Sequence, residues 1–311
     1  MSEIKPKSIR KIRSQWDGLF WTTMSVFGVF YLALIIALLV ADFRFTNWSD
    51  MTNLLSDVRV RFSIWLSLIS CTIAAILSLW VAIPTGFLLA RLGSESMAQR
   101  LGQRSLGCRR LFNWTRYFID TLLDIPIVLP PLVVGISLLV LFQTPAGRWL
   151  DQRTGELFAS LGYTGIRGIT YEIPAVILAQ FTVAAAFAIR TMRNTFEQID
   201  DRPERVAITL GASHYQAFSM VALPQAWRGI VAAFTLAWAR SLGEFGPILI
   251  FAGTARMKTE VLSTTVYLNF QFGNLRDAVS ASLILVTLAI LVLVLTRLIT
   301  LSGSSKKGVI V

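Results

Sequence analysis

Six stretches of the chain are apolar for long enough to cross a lipid bilayer. About 30 Å of hydrocarbon needs about 20 residues at 1.5 Å of rise each, and runs of that order occupy residues 21–41, 62–90, 119–142, 173–189, 229–252 and 278–301. The fourth is short, and Pro and Gly interrupt the third and fifth. Each interruption frees backbone groups that hydrocarbon leaves unsatisfied, so those helices are expected inside a bundle or beside a cavity. The pattern predicts an all-α, polytopic membrane helix bundle of about six transmembrane helices. It divides into a basic tail (1–20), a first span with its outer loop (21–57), a core (58–301) and a short tail (302–311). No small-residue cleavage pattern follows the first run, which reads as a retained anchor.

Composition agrees. The 311 residues are 54% hydrophobic and 15% charged, against about a quarter charged in soluble domains, which excludes a cytosolic enzyme and a disordered chain. The net charge of +11 would point to nucleic acid in a soluble protein, but its distribution gives it another meaning. Of the 29 Lys and Arg, 19 fall in the N-terminal tail, the loops after the second and fourth spans, and the C-terminal end; nine lie in the three opposite loops, and Arg240 alone lies within a span. Positive charge concentrates on the cytoplasmic side of membrane proteins, so both termini are expected in the cytoplasm, with the chain a multi-pass membrane protein surrounded by lipid and with no nucleic-acid partner.

Two cysteines and one histidine do not furnish a four-ligand metal site. The string Gly303-Ser304-Ser305-Lys306-Lys307 lacks the spacing of a phosphate-cradling loop. No span interior holds a paired nucleophile and base, so neither a catalytic residue nor a metal or cofactor is expected.

Between the fourth and fifth spans lie about 40 residues, more than a plain helix connection needs. Asp200 and Asp201 precede Arg202-Pro203-Glu204, a helix start with Pro in the first turn, and the run to Leu210 ends at Gly211, suited to a left-handed C-cap. Ser213 stands three residues before Gln216, the spacing of a capping box, and Leu223-Pro224 is expected to stop the second helix. Tyr215, Phe218 and Met220 would then be available on a knob that fits a partner's groove.

The stretch from Glu204 to Pro224, ERVAITLGASHYQAFSMVALP, resembles the EAA loop of ABC importer permeases. Gly211, nine further residues, then Val221, Ala222, Leu223 and Pro224 reproduce that pattern's spacing. Arg205 stands where the pattern has its Glu, and the chain's own acid, Glu204, comes one residue earlier, as in some members of the molybdate branch. The resemblance implies a type I ABC importer permease fold, with a coupling loop over 194–226. Glu204, Ala207, Gly211, Ala212, Leu223 and Pro224 would face a separate ATP-hydrolysing subunit.

The fifth span carries Ala239-Arg240-Ser241-Leu242-Gly243-Glu244-Phe245-Gly246-Pro247. A charge in mid-bilayer costs roughly 2.5 to 3.5 kcal/mol on insertion scales, so two need a reason. Arg240 and Glu244, four residues apart, pair on one helix face. They either neutralise each other at a helix contact that Gly243 and Gly246 allow to be close, or line the translocation route at a Gly-Pro break. This segment, with Phe251-Ala252-Gly253 after it, is similar to permeases of the molybdate, tungstate and sulfate group, as is the third span's Leu129-Pro130-Pro131-Leu132-Val133-Val134-Gly135. The resemblance implies a pathway or gate built from Pro130, Pro131, Arg240, Ser241, Gly243, Glu244 and Gly246. It also implies an outer substrate-binding protein and a second permease copy, most simply as a homodimer. Arg256, Lys258 and Arg276 near the outer ends of the last two spans are candidates for steering an oxyanion or for ordinary loop solvation. An importer of iron, thiamine or polyamine, and a secondary transporter using Glu244 as an ion relay, remain alternatives.

Overall fold

Lipid offers backbone groups no partners, so the apolar runs form helices that satisfy their own hydrogen bonds. The computed structural model describes residues 7–92, 106–162, 165 and 167–305. In chain order the helices are α1 (Lys7–Phe45), α2 (Trp48–Ser56), α3 (Val58–Leu92), α4 (Leu106–Val128), α5 (Pro131–Gln143), α6 (Pro145–Ser160), α7 (Ile173–Gln198), α8 (Arg202–Thr209), α9 (His214–Ala217), α10 (Leu223–Gln225), α11 (Trp227–Leu242), α12 (Leu262–Gln271) and α13 (Leu275–Ser305). Short π-helical turns follow α9 (Phe218–Ala222) and precede the loop to α12 (Ile248–Ala252).

Gly18–Phe45, Val58–Arg91, Ile173–Gln198 and Leu275–Leu298 are each long and apolar enough to cross a membrane unbroken. The chain is a multi-pass, all-helical membrane bundle, with up to six crossings if each of two bent helix pairs counts as one. The expected third span is such a pair: α4 and α5 meet at 109°, because Pro130 and Pro131 supply no N–H across the break and Pro130 is extended (ψ 135°). The expected fifth span is shorter than the apolar run. Helix α11 ends at Leu242, and its 16 residues reach only about 24 Å, so the non-helical Gly243–Phe245 link and the helical turns from Gly246 to Ala252 extend the run.

The core is a three-helix contact of α3, α7 and α11, made close by small residues. Ala75, Ala82, Ala184, Ala188, Ala233 and Ala237 are fully buried there. A Cβ on Gly86 would stand 2.8 Å from the Met192 side chain. The Trp238 Nε1 donates to the Thr72 hydroxyl at 3.2 Å, tying α11 to α3. A second cluster packs α5 and the Ile248–Ala252 turn on α7 through Val134, Leu138, Phe142, Ile248 and Phe251. By contrast, no residue in the most apolar stretch of α1 is buried within the chain; it touches α13 and otherwise faces outward.

Candidate functional site

Two regions gather the residues singled out by the sequence: the connection between α7 and α11, and the break after α11.

In the connection, α8 starts with Pro203 in its first turn. Asp200, not Asp201, supplies the starting bond: its Oδ1 accepts from the Arg202 N–H at 3.0 Å, while Asp201 makes no cap and pairs with Arg205 one turn on. The helix ends as expected at Gly211, with φ +97°. There the Gly211 and Ala212 N–H groups donate to Ile208 and Ala207 carbonyls at 3.0 Å each, a Schellman closure that needs the positive φ. The capping box is present as expected: the Gln216 N–H donates to the Ser213 hydroxyl at 3.2 Å, and the Ser213 N–H donates to Gln216 Oε1 at 2.8 Å.

Pro224 does not stop the second helix. The chain stays helical to Gln225 because the Leu223 N–H reaches back five residues to the Phe218 carbonyl, a widened turn next to the Pro. The bend, 71°, comes afterwards at Ala226. The aromatic knob is also split. Tyr215 and Met220 are 77% and 73% exposed, and Leu210 is 82% exposed. Phe218 instead turns inward, its ring 4.7 Å from Phe87 and 6.4 Å from Phe196, because the π turn rotates it onto the α3–α7 core.

Glu204 likewise faces inward rather than outward. It is 8% exposed and its two carboxylate oxygens meet the Arg91 guanidinium at the end of α3, one through Nη2 and the other through Nε at 3.2 Å. Of the other residues expected to face a partner, Gly211 and Pro224 are exposed, while Ala207, Ala212 and Leu223 are half-buried. In the sequence Arg91 stands out only as part of the charge bias of its loop; its partner lies 113 residues away, beyond the reach of any local spacing.

In the break, the expected ion pair is formed: Arg240 Nη2 stands 2.6 Å from Glu244 Oε1, with Glu244 1% exposed and Arg240 30%. The guanidinium also lies over the Phe187 ring of α7 at 5.6 Å. Ser241 is fully buried and its carbonyl accepts from the Glu244 N–H at 3.1 Å. The Glu244 carbonyl, freed by the break, accepts from the Ser263 hydroxyl of α12 at 2.7 Å.

The third- and fifth-span motifs meet here. A Cβ on Gly246 would stand 2.9 Å from Pro131 Cβ and 3.0 Å from the Leu132 nitrogen, and a Cβ on Gly135 would stand 2.9 Å from Pro247 Cα. Gly243 permits no such approach: it is exposed, and the nearest atoms to its missing Cβ are 3.9 Å away. Pro130 and Pro131 are exposed on the other side of the same contact.

The three cations considered for steering differ in their freedom. Lys258 Nζ is 2.6 Å from the buried Glu172 carboxylate, and Arg256 lies 5.2 Å over the Phe272 ring, so both are engaged within the chain; Arg276 is exposed. Beside them, burial pushes the Glu260 carboxyl above its ordinary range; the Thr265 hydroxyl, which donates to it at 3.0 Å, and nearby Arg256 and Arg59 hold it back only in part, and Asp57 adds to the rise.

The profile of the family described as "binding-protein-dependent transport system inner membrane component" matches residues 104–305. The sulfate transport system permease protein CysT of Escherichia coli is 27% identical over 251 residues, 80% of this chain and 79% of its own length. The molybdate/tungstate transport system permease protein WtpB of Thermococcus kodakarensis is 27% identical over 286 residues, 92% of this chain and 97% of its own. Among solved structures, a chain of a bacterial alginate ABC transporter, crystallised with its alginate-bound periplasmic protein, superposes with a TM-score of 0.58 at 18% identity, covering 92% of this chain and 94% of that one. At that identity the likeness is one of fold.

Proposed function

The chain belongs to the family of binding-protein-dependent transport system inner membrane components, and on that premise we propose that it forms the path of an ATP-driven importer for a tetrahedral oxyanion, with molybdate or tungstate first and sulfate next. It is the membrane-spanning permease subunit of an ABC importer, a transport subunit rather than an enzyme. The oxyanion reading is supported by relatives of both kinds, each matched along most of its length. The chemistry of the break is compatible with it. Glu244 would repel a dianion if it stood alone, but Arg240 matches its charge at 2.6 Å. The pair therefore leaves no net charge at that depth, and Glu244 acts as a structural or gate residue. A secondary transporter relaying ions through Glu244 would need that carboxylate free, and its tight pairing disfavours the alternative.

The observation that carries the ATP-driven reading is the helical connection between α7 and α11. Its exposed apolar residues Leu210, Tyr215 and Met220 sit on helices fixed from behind by Phe218 and Glu204, a preformed knob for a groove in a separate ATPase subunit. Of the residues implied by the EAA resemblance, Gly211 shapes this knob and Glu204 anchors it. Pro224, exposed, and Ala207, Ala212 and Leu223, half-buried, complete its outline. The knob faces the cytoplasm together with both termini, in line with 19 of 29 basic residues on that side. A binding protein delivers substrate at the opposite face, and a second copy of the chain completes the path.

Replacing Tyr215 and Met220 together by Ala tests this without unfolding the bundle, since both side chains are exposed. The transporter's ATPase subunit should no longer co-purify, and ATP-dependent molybdate uptake into proteoliposomes should be lost. Normal association and uptake would refute the docking role. Uptake of sulfate in preference to molybdate and tungstate would overturn the substrate order.

A further inference from the structure

Arg91 is the only described basic residue at the end of α3, and five contacts converge on its side chain, from α8, from the end of α7 and the residue after it, and from α3 itself. Its Nε donates to Glu204 Oε2 at 3.2 Å and its Nη2 pairs with Glu204 Oε1, both on α8. Its Nη1 donates to the Phe196 carbonyl at 3.2 Å and to the Ile199 carbonyl at 3.3 Å. Those carbonyls belong to the last turn of α7 and the residue just after it, where a helix leaves acceptors unpaired. The guanidinium also lies 5.5 Å over the Phe87 ring, which in turn packs edge-on against Phe196 at 5.3 Å and against Phe218 at 4.7 Å.

Neighbouring contacts extend the junction. A Cβ on Gly86 would meet the Arg193 nitrogen at 2.8 Å, so α3 and α7 touch backbone to backbone one turn from Arg91. Arg193 bridges Asp120 of α4 at 2.7 Å and Glu197 of its own helix at 2.9 Å. The ends of α3 and α7, the body of α4 at Asp120 and the start of the knob are thus joined through charge-assisted bonds and one aromatic cluster. Only 18% of the Arg91 side chain and 10% of the Glu204 side chain are exposed, so solvent screens this pair less than a surface pair.

Elsewhere the chain has the opposite character. The breaks at Leu129–Pro130 and at Gly243–Phe245 interrupt helical hydrogen bonding and leave α5 and α11 joined to their neighbours by short non-helical links. A push on the knob would therefore reach α3 and α7 through bonded contacts, without passing through those breaks. We infer that Arg91 is the positioning residue of the coupling step: by holding Glu204 and the two carbonyls of α7 at once, it makes the knob and the ends of α3 and α7 move as one body. This step rests on the docking role of the knob proposed above. Arg91 touches neither the solute nor the nucleotide and acts through the helices it joins. Arg suits the position because a planar fork serves a carboxylate and two carbonyls together, which a Lys ammonium does not.

The test uses the complete transporter, with its ATPase and binding protein, reconstituted in proteoliposomes, and reads solute imported per ATP hydrolysed. Arg91→Ala leaves the exposed face of the knob in place, so the ATPase should still co-purify, while the ratio should fall by about fivefold or more, the lower end of ordinary coupling between sites. Arg91→Lys should recover part of the ratio. A residue with a merely structural role would lower the amount of assembled complex and both rates together, leaving the ratio unchanged. If Arg91→Ala does not assemble, Glu204→Gln decides: it keeps the shape and removes the charge, and an unchanged ratio overturns the inference, as does an unchanged ratio for Arg91→Ala itself. The two failures are distinguishable. Retained association in the Tyr215→Ala, Met220→Ala variant refutes the docking role, whereas lost association there with a normal ratio in Arg91→Ala refutes the clamp alone.

Discussion

Removing Arg240 alone should damage the protein more than removing Arg240 and Glu244 together. Glu244 is 1% exposed and its Oε1 lies 2.6 Å from the guanidinium, so Arg240→Met leaves a buried carboxyl group with its charge partner gone. Breaking a buried pair in this way costs about 3–5 kcal/mol. The guanidinium's place over Phe187 at 5.6 Å adds about 0.5–1 kcal/mol. Because Arg240 retains 30% exposure, water reaches one side of the pair and the total falls at the low end, about 3–4 kcal/mol. Arg240→Met with Glu244→Met keeps similar volumes and removes both charges, and such replacements are often neutral or stabilising. Thermal unfolding of both variants in nanodiscs provides the comparison. At about 2 °C per kcal/mol, the single variant should melt about 6 °C or more below the parent, with the double variant recovering most of the loss. Equal melting points for the two variants, or a double variant whose loss is the sum of both single losses, would refute the pairing.

Other expectations concern packing and protonation. Gly246→Ala places a methyl group 2.9 Å from Pro131 Cβ and 3.0 Å from a backbone nitrogen and should cost about 1–3 kcal/mol by overpacking, whereas Gly243→Ala, with nothing nearer than 3.9 Å, should melt with the parent. Phe218→Ala removes a ring packed against Phe87 and beside Phe196 and should cost about 3 kcal/mol, the low end for Phe because it is only half-buried; Tyr215→Ala should change stability by no more than about 0.5 kcal/mol. For Glu260, burial raises the folded-state value, so the folded chain holds that proton more tightly than the unfolded chain. Its stabilising contribution is complete below the ordinary glutamate value of about 4.3 and is lost as pH rises through the folded value. Glu260→Gln should flatten that part of the stability–pH curve and melt higher than the parent at neutral pH; an unchanged curve would show that Glu260 does not titrate there.

Much of the bundle is legible in the chain because it depends on neighbours in sequence. Long apolar runs become helices, since in lipid the backbone has no other way to bond. The Schellman closure at Gly211, the Ser213–Gln216 box and the Arg240–Glu244 pair each join residues three to five apart, and helix geometry fixes those distances wherever the helix lies. The effect of proline depends on more than its neighbours in sequence. Pro130 and Pro131 break their helix at 109°, while Pro224 is carried through by a π turn and the bend follows it at Ala226; the ring removes a donor in each case, but the surrounding packing decides whether the chain turns.

The sequence by itself determined most of the helices, the Gly211 and Ser213 caps and the charge bias along the chain. Tertiary structure decided which faces meet: that Glu204 turns inward to an arginine 113 residues away, that Phe218 leaves the knob for the core, that Lys258 is tied to Glu172, and that Gly246 rather than Gly243 meets α5. The reason is physical. A helix sets the spacing of its own side chains through its backbone period, but which of them is buried follows from the small residues at which two helices approach, and those helices come from distant parts of the chain.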